Sequence, residues 1–159
     1  MNDQAIEQEI QAKGKTAPRV TPANIEANIA DEAYFTAADG VRGSTPGGLR
    51  TYVPRDAHKL LTFCVLTLAN GFTVTGESAC ASPENFDAEI GRKVARQNAV
   101  QKIWPLMGYQ LRDQLHAEAE KVRKEAEAQA NRPNQNCVFK YCPDEAACRA
   151  HGCQMGAPA

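Results

Sequence analysis

The chain has 159 residues, of which 43% are hydrophobic and 23% are charged, and its formal net charge at pH 7 is -1. This length predicts one domain with tails, and the near-neutral charge excludes the broad positive field typical of proteins that bind long nucleic acids or anionic membranes. No apolar run approaches the ~20 residues that cross a bilayer, and the polar opening stretch MNDQAIEQEIQAKGK holds no signal-peptide core. We therefore expect a soluble cytoplasmic protein.

The chain opens with a polar arm, residues 1–20, which we expect to be flexible or weakly helical. The segment TPANIEANIADEAYF then predicts a helix. It begins with a favourable Thr-Pro cap, and Ile25, Ile29 and Ala33 fall on one face. The next stretch, TAADGVRGSTPGGLR, is rich in glycine and is predicted to be a loop.

The segment KLLTFCVLTLANGFTVTGES predicts a β-hairpin. Leu60–Ala69 is apolar and β-branched, and Asn70-Gly71 suits a two-residue type I′ turn in which both residues take positive φ. Cys64 is expected to pack inside the hairpin. Because a lone hairpin is only marginally stable in water, it must pack on a helix, a third strand or another subunit. Arg50–Pro54, RTYVP, is the candidate third strand.

A helix is predicted from about Pro83–Asp87 to Trp104, where Pro105 is expected to break or kink it before it restarts. Its predicted buried side carries Phe86, Ile90, Val94 and Ile103. Residues 117–131 are nearly all Ala, Glu, Lys, Arg and Gln, which is typical of a solvated helix that projects from the body or pairs between subunits.

The core domain, residues 21–116, is therefore predicted to have an α+β fold. We expect a small antiparallel β-hairpin sheet packed on a pair of C-terminal helices, with an N-terminal helix and a Cys-rich tail at residues 132–159. One hairpin and an apolar-poor helical extension leave each protomer short of buried surface. This predicts a homo-oligomer.

The tail contains four cysteines in the spacing C-x4-C-x5-C-x4-C: Cys137, Cys142, Cys148 and Cys153. Four thiolates can bind a structural zinc ion in tetrahedral geometry, and the polar N-terminus disfavours a secreted disulfide framework. The C-x2-C knuckle of zinc ribbons is absent, so disulfides formed after lysis and a disordered tail are alternative explanations. No other cofactor is expected.

The stretch SPENFDAEIGRKVAR, Ser82 to Arg96, combines a helix start with residue types that bind nucleotides. An amide can read a base edge, a carboxylate can accept from a ribose hydroxyl, and a phenyl ring can stack on a base; these groups are Asn85, Asp87 and Phe86. Arg92 and Arg96 lie four residues apart, so they share a helix face and can clamp a phosphate.

A purely structural interpretation explains the same residues. Asn85 and Asp87 can cap the helix, Phe86 can belong to the core, and Arg92 and Arg96 can pair with Glu89 in solvent. Spacing alone leaves both interpretations open. The sequence has no serine nucleophile elbow, Walker loop or dinucleotide fingerprint, and we expect no enzymatic activity.

The segment Ala69–Leu115 resembles the small phage protein family usually labelled gene-49/gene-66-like. The recurrent blocks of that family are matched here by NGFTVTGES, NFDAEIG and KIWPLMGYQL, and the upstream NIEANIADEAYF is similar to its opening helix. The resemblance covers roughly Asn24 to Leu115.

The hairpin, the Asn-x-Asp motif and the Trp-Pro pair also resemble the type-one Thoeris anti-defence proteins. Those phage proteins sequester the cyclic ADP-ribose isomers made by bacterial TIR-domain enzymes, and some hold cyclic oligonucleotides at separate sites in a hexamer. The resemblance implies an α+β protomer in a homo-oligomer, from dimer to hexamer. It also implies a nucleotide pocket shared between subunits, no catalysis, and action in the host bacterial cytoplasm.

Carried over by this resemblance, Asn85 and Asp87 would read the adenine or ribose, and Phe86 would lie near the base. Arg50 and Lys102 would contact the phosphates. Lys102 stands where an arginine is expected. An ammonium binds phosphate as a point charge and cannot form the bidentate hydrogen bonds that a guanidinium forms.

Two functions of other classes are alternatives to a nucleotide sponge, that is, a protein that sequesters a nucleotide without degrading it. A phage host-takeover protein would bind a host protein through Glu118–Ala130 and the tail. A zinc-dependent nucleic-acid binder is the weaker alternative, because such domains usually carry a strong basic excess.

Overall fold

The computed structural model describes residues 3–44 and 53–130, apart from the side chain of Ala130. The chain divides into two compact units, Met1–Asp113 and Gln114–Ala159. Within the described ranges, the helices and strands are α1 (Asp3–Ala12), α2 (Pro22–Asn28), β1 (Ile29–Thr36), α3 (Ala37–Ser44), α4 (Asp56–Lys59), β2 (Leu61–Leu68), β3 (Thr73–Ala79), a 3-10 turn (Pro83–Asn85) and α5 (Ala88–Ala130).

The three strands form one antiparallel sheet in the order β1-β2-β3. β2 and β3 are the predicted hairpin. Cys64 in β2 lies between Tyr34 of β1 and Gly76 of β3. Burial alternates along β2, because every second side chain enters the core beneath α5. The α+β prediction is confirmed, as is the burial of Cys64.

The third strand comes from a different segment than predicted. Residues 50–52 of the proposed strand lie outside the described residues, and Val53 and Pro54 are not in a strand. The strand is instead β1, which occupies the second half of the segment predicted as one helix. That helix, α2, ends at Asn28, and the chain from Ile29 onward pairs with β2. Sheet pairing satisfies a row of backbone groups on β2, and this overrides the local helical pattern.

The start of α2 is formed as predicted. The Thr21 hydroxyl accepts a hydrogen bond from the Asn24 N–H at 3.2 Å, and the Asn24 side-chain oxygen accepts from the Thr21 N–H at 3.0 Å. Pro22 occupies the first turn, where its missing N–H has no cost. Ile25 faces the core and is buried.

Part of the predicted glycine-rich loop is helical. In α3, Thr36 and Asp39 cap each other: Asp39 Oδ2 accepts from the Thr36 N–H at 2.9 Å, and Thr36 Oγ1 accepts from the Asp39 N–H at 3.2 Å. Ala38 is buried, which ties this helix to the body. A reciprocal cap and one buried side chain therefore stabilise a helix that contains two glycines.

The hairpin turn differs from the predicted type I′ form. Gly71 has φ 82°, and no described non-glycine residue has positive φ, so Asn70 does not meet the type I′ requirement. The Gly71 N–H donates to the Leu68 carbonyl at 2.8 Å, and the Leu68 N–H donates to the Phe72 carbonyl at 2.8 Å. The loop is therefore a three-residue connection that ends in a left-handed glycine.

The buried side of α5 begins with three small residues and continues with Ile103. Gly91, Ala95, Ala99 and Ile103 recur every four residues and face the sheet. The predictions for Ile90 and Val94 are wrong, since 61% and 40% of these residues are exposed, and Phe86 is half-buried. The reason is close packing: a Cβ on Gly76 would lie 2.9 Å from the Ala99 Cα, so only small side chains fit between the helix and β3.

The predicted pair of C-terminal helices is one continuous helix, because Pro105 lies inside α5. An internal proline removes one backbone hydrogen bond and costs about 3 kcal/mol. Ile103, Trp104 and Met107 around it pack in or against the core. Their burial offsets the cost and keeps the chain helical.

Candidate functional site

The α5 entrance, Ser82–Asp87, is a short 3-10 turn followed by a capping aspartate. Asp87 Oδ1 accepts hydrogen bonds from the Glu89 N–H at 2.8 Å and the Ile90 N–H at 2.9 Å. These two N–H groups would otherwise be free at the helix start. Asp87 therefore caps the helix, as the purely structural interpretation predicts, and the N–H groups of Glu89 and Ile90 are not available to an external anion.

Asn85 and Phe86 lie next to this cap but take no part in it. Asn85 ends the 3-10 turn with its side chain exposed, and within the described ranges that side chain has no hydrogen-bond partner. Phe86 is half-buried, with its N–H donating to the Pro83 carbonyl at 3.2 Å. An amide free for hydrogen bonding is therefore followed directly in the sequence by an aromatic residue.

Arg96 joins three elements of the fold. Its Nη2 lies 2.7 Å from Glu26 Oε2 of α2, and its Nε lies 2.8 Å from Glu32 Oε2 of β1. Hydrogen bonding to these two carboxylates raises the pKa of Arg96 and lowers the pKa of Glu26. Among the positions predicted to bind phosphate, Arg96 is thus already neutralised within the chain.

Arg92 differs from Arg96 although the two share a helix face. It is exposed, and among the described residues it has no ion-pair or hydrogen-bond partner. Glu89, its predicted partner, pairs instead with Lys93 at 2.7 Å. The guanidinium of Arg92 is therefore available to an external acceptor.

Lys102 lies along the outer strand of the hairpin, distant in sequence from the α5 entrance. Its Nζ donates to the Thr75 carbonyl at 2.8 Å, and the Asn98 side chain donates to the Glu77 carbonyl at 2.8 Å. Both acceptors belong to β3, an edge strand. These donors cover carbonyls that an edge strand would otherwise expose. Sequence patterns did not single out Asn98, because its partner is known only once the helix is placed on the sheet.

Two titratable side chains of the sheet, Tyr34 and Cys64, lie within the electrostatic influence of Arg96. Tyr34 and Cys64 face each other across β1 and β2. Burial, followed by the charges of Cys64 and Glu32, raises the pKa of Tyr34 to about 12. Burial also raises the pKa of the Cys64 thiol. Both groups are therefore uncharged near neutral pH and serve as packing residues.

We expect Arg96→Ala to destabilise the fold by about 1 kcal/mol, because both ion pairs are partly exposed and screened. The pKa of Glu26 is lower in the folded state than its ordinary value of 4.5. The stability that the ion pair contributes is therefore fully present above pH 4.5, and it is lost as the pH falls through the pKa of Glu26 in the folded protein. Urea denaturation at pH 7 and pH 3 measures it.

Lys93→Ala, which breaks only the exposed pair with Glu89, is the matched control and should change the free energy of unfolding by less than about 0.5 kcal/mol. An Arg96→Ala effect that is equal at both pH values would contradict the ion-pair explanation.

Two sets of predicted site residues lie outside the described residues. Arg50 is one, and the four tail cysteines are the other: Cys137, Cys142, Cys148 and Cys153. Their roles stay predictions. Within residues 3–44 and 53–130, no group of three or more His, Cys, Asp or Glu side chains is arranged to hold a metal ion.

The described polar candidate residues therefore fall into two sets. Asp87, Arg96 and Lys102 already bind groups of the chain itself, whereas Asn85 and Arg92, which precede and follow the cap in the sequence, present unpaired polar groups; Phe86, half-buried, belongs to neither set. The ligand roles of all of them stay predictions. Capping was detectable from local spacing, but the partners of Arg96 and Lys102 were not.

Comparison with known proteins gives one match. No curated protein and no solved structure matches the chain. No helix in the described ranges is long and apolar enough to span a membrane. The model of the Phage protein (N4 Gp49/phage Sf6 gene 66) family matches residues 20–115, which include the whole sheet, the α5 entrance and the packed part of α5. The chain belongs to this phage protein family.

Proposed function

We propose that this phage protein is an anti-defence protein that binds a cyclic nucleotide immune signal in the host cytoplasm and sequesters it without degrading it. The ligand class is a cyclic ADP-ribose isomer or a cyclic oligonucleotide. The chemistry required is binding alone, so the protein is proposed not to be an enzyme and to need no cofactor for this activity.

The observation that carries the proposal is two unpaired polar side chains: Asn85 at the α5 entrance and Arg92 in the first turns of α5. The Asn85 amide can donate to and accept from a base edge, and Arg92 offers a planar guanidinium suited to a phosphate. Phe86 lies between them in the chain and supplies an aromatic surface. An amide, an aromatic ring and a guanidinium are the groups that a nucleotide needs.

The chain's resemblance to the type-one Thoeris anti-defence proteins supports the same assignment. Membership of a phage protein family is consistent with it, and the matched residues 20–115 include the hairpin and the α5 entrance. Arg92 is the primary phosphate contact in this proposal, because Arg96 would have to leave Glu26 and Glu32 to bind a phosphate. Arg50 is proposed to complete the phosphate site.

Tight sequestration favours a pocket enclosed by more than one subunit. A nanomolar complex requires about -12 kcal/mol, which an open helix end does not readily supply. Several large apolar side chains are exposed on the described surface, including Phe35, Phe72 and Ile90, and burying such side chains between subunits would favour association. We therefore propose a homo-oligomer, from dimer to hexamer.

Light scattering on the purified full chain should give a mass of at least two chains at micromolar concentration. Ile90→Lys is the informative variant, because Ile90 is exposed and its replacement should weaken association without emptying the core. Lys93→Glu on the same helix serves as a matched surface control. A monomeric parent protein would contradict the oligomer proposal.

Heating the purified protein and analysing the released small molecules by mass spectrometry tests the function directly. A sponge purified from cells that make the signal should release an intact nucleotide, whereas a protein-binding adaptor should release none. Calorimetry with cyclic ADP-ribose isomers and cyclic oligonucleotides then identifies the ligand. A parent protein that binds none of them overturns the proposal.

The tail zinc proposal is independent of this function. If Cys137, Cys142, Cys148 and Cys153 bind zinc, elemental analysis of freshly purified protein should find about one zinc ion per chain. The double replacement Cys142→Ser and Cys148→Ser should remove it.

A further inference from the structure

A groove of about 530 Å³ lies between α1, α2 and the first part of α5, and its lining residues all belong to the first unit of the chain. Its apolar wall includes Pro22, Ile25 and Val100, and Trp104 contributes the aromatic surface. The volume is within the range of sites that bind small molecules or side chains. It is formed by other residues than the α5 entrance.

The polar groups of this groove are acidic or neutral. Asp3 and Glu26 contribute carboxylates, Gln4 and Gln97 contribute amides, and none of the described residues that line the groove is a lysine or arginine. Arg96 neutralises part of the charge from outside, but it is shared between Glu26 and Glu32. Among the described residues, the groove thus keeps an excess of negative charge, which disfavours a phosphate and favours a cation.

Asp3 is held in a defined position beside the aromatic ring. Its Oδ2 accepts from Trp104 Nε1 at 3.2 Å and from Gln101 Nε2 at 3.3 Å. Its Oδ1 has no hydrogen-bond partner among the described residues. The carboxylate lies at the N–H edge of the indole, and the ring itself lines the same groove. A planar cation in the groove can therefore donate a charge-assisted hydrogen bond to Asp3 and contact the aromatic surface of Trp104.

We propose that this groove docks an arginine side chain presented by a protein partner. A guanidinium is planar and weakly hydrated, so it stacks on an indole better than a lysine ammonium does. The groove is larger than one guanidinium, and its apolar wall at Pro22 and Val100 accommodates the residues that flank the arginine. The proposal does not depend on nucleotide binding.

Intrinsic fluorescence tests this docking, because Trp104 is the only tryptophan in the chain. The probes are acetyl-Gly-Arg-Gly-amide, its citrulline counterpart, which has the same shape without the charge, and free argininamide. The arginine peptide should change the emission saturably and bind at least about tenfold more tightly than the citrulline peptide. It should also bind more tightly than argininamide, because the flanking residues contact the wall.

Charge variants of Gln97 keep the groove's shape because this side chain is exposed. Gln97→Glu should tighten binding of the arginine peptide by about threefold, and Gln97→Lys should weaken it by a similar factor. Asp3→Asn should weaken binding by about fivefold or more. Glu89→Gln, which alters a carboxylate paired with Lys93, is the control and should bind like the parent.

The proposal is overturned if the arginine and citrulline peptides bind equally, or if both Gln97 variants bind like the parent. A parent protein whose emission does not change with the arginine peptide overturns it as well. Circular dichroism of each variant verifies that the fold is retained. The Gln97 pair keeps the test decisive even if Asp3→Asn loosens α1.

Discussion

Gly76→Ala should destabilise the fold by about 3 kcal/mol or more, at the upper end of the range for overpacked sites. A Cβ at this position would lie 2.9 Å from the Ala99 Cα and nearer still to the Ala95 carbonyl oxygen and the Ala99 nitrogen. All three obstacles are backbone atoms, so no side-chain rotation relieves the clash. Helix α5 would have to move away from β3, which would loosen the packing around Ala95 and Ala99. Urea denaturation at fixed protein concentration measures the loss.

Gly108→Ala is the matched control for this substitution. Gly108 is also in unit Met1–Asp113 and lies within α5, but a Cβ there meets no atom within 4 Å. Alanine should therefore stabilise the helix by about 0.5–1 kcal/mol. Effects of equal sign and size at the two glycines would show that Gly76 does not set the helix–sheet distance.

Asn85→Ala should weaken nucleotide binding by about 5- to 150-fold, because a polar group of the ligand would lose its partner on binding, at a cost of about 1–3 kcal/mol. Arg92→Ala should weaken binding by a similar or larger factor, because a phosphate would lose a charged partner. Both side chains are exposed and have no partner within the described residues, so the melting temperature should change little. Calorimetry for binding and thermal scans for stability measure the two effects separately.

Asp87→Ala separates the cap from the ligand site. Removing the hydrogen bonds to Glu89 and Ile90 should cost about 1 kcal/mol of stability. If Asp87 also accepts from a ribose, binding should fall as well. If Asp87→Ala lowers the melting temperature and the Asn85 and Arg92 variants bind every nucleotide that the parent binds equally well, the α5 entrance is a helix cap and not the ligand site.

The hairpin and the helix starts could be predicted because their causes are local. Alternating apolar residues place every second side chain of β2 in the core, whatever packs above. Thr21 needs only Asn24, three residues on, to form its cap. Asp87 likewise needs only the N–H groups of the next turn. The family resemblance also depends on such local blocks.

Predictions from local patterns were wrong where contacts with a distant segment stabilise a different structure. Ile29 and Ala33 fit a helical face, yet backbone hydrogen bonds to β2 stabilise the same segment as a strand. Ile90 and Val94 are the larger apolar residues of early α5, but Gly76 lets the backbone of the helix approach the sheet and only small residues fit there. Burial therefore follows the shape of the partner surface and not hydrophobicity alone.

The sequence by itself determined the α+β class, the β2–β3 hairpin, the cap at Thr21, the candidate residues of the α5 entrance and the phage family. Only the tertiary structure decided which of those residues are free. Arg96 meets Glu32 and Glu26 across separations of 64 and 70 residues, and Trp104 meets Asp3 across 101 residues. Contacts over such separations depend on how helices pack on the sheet, which no local pattern encodes. They leave Asn85 and Arg92 available to a ligand and create the acidic groove beside Trp104.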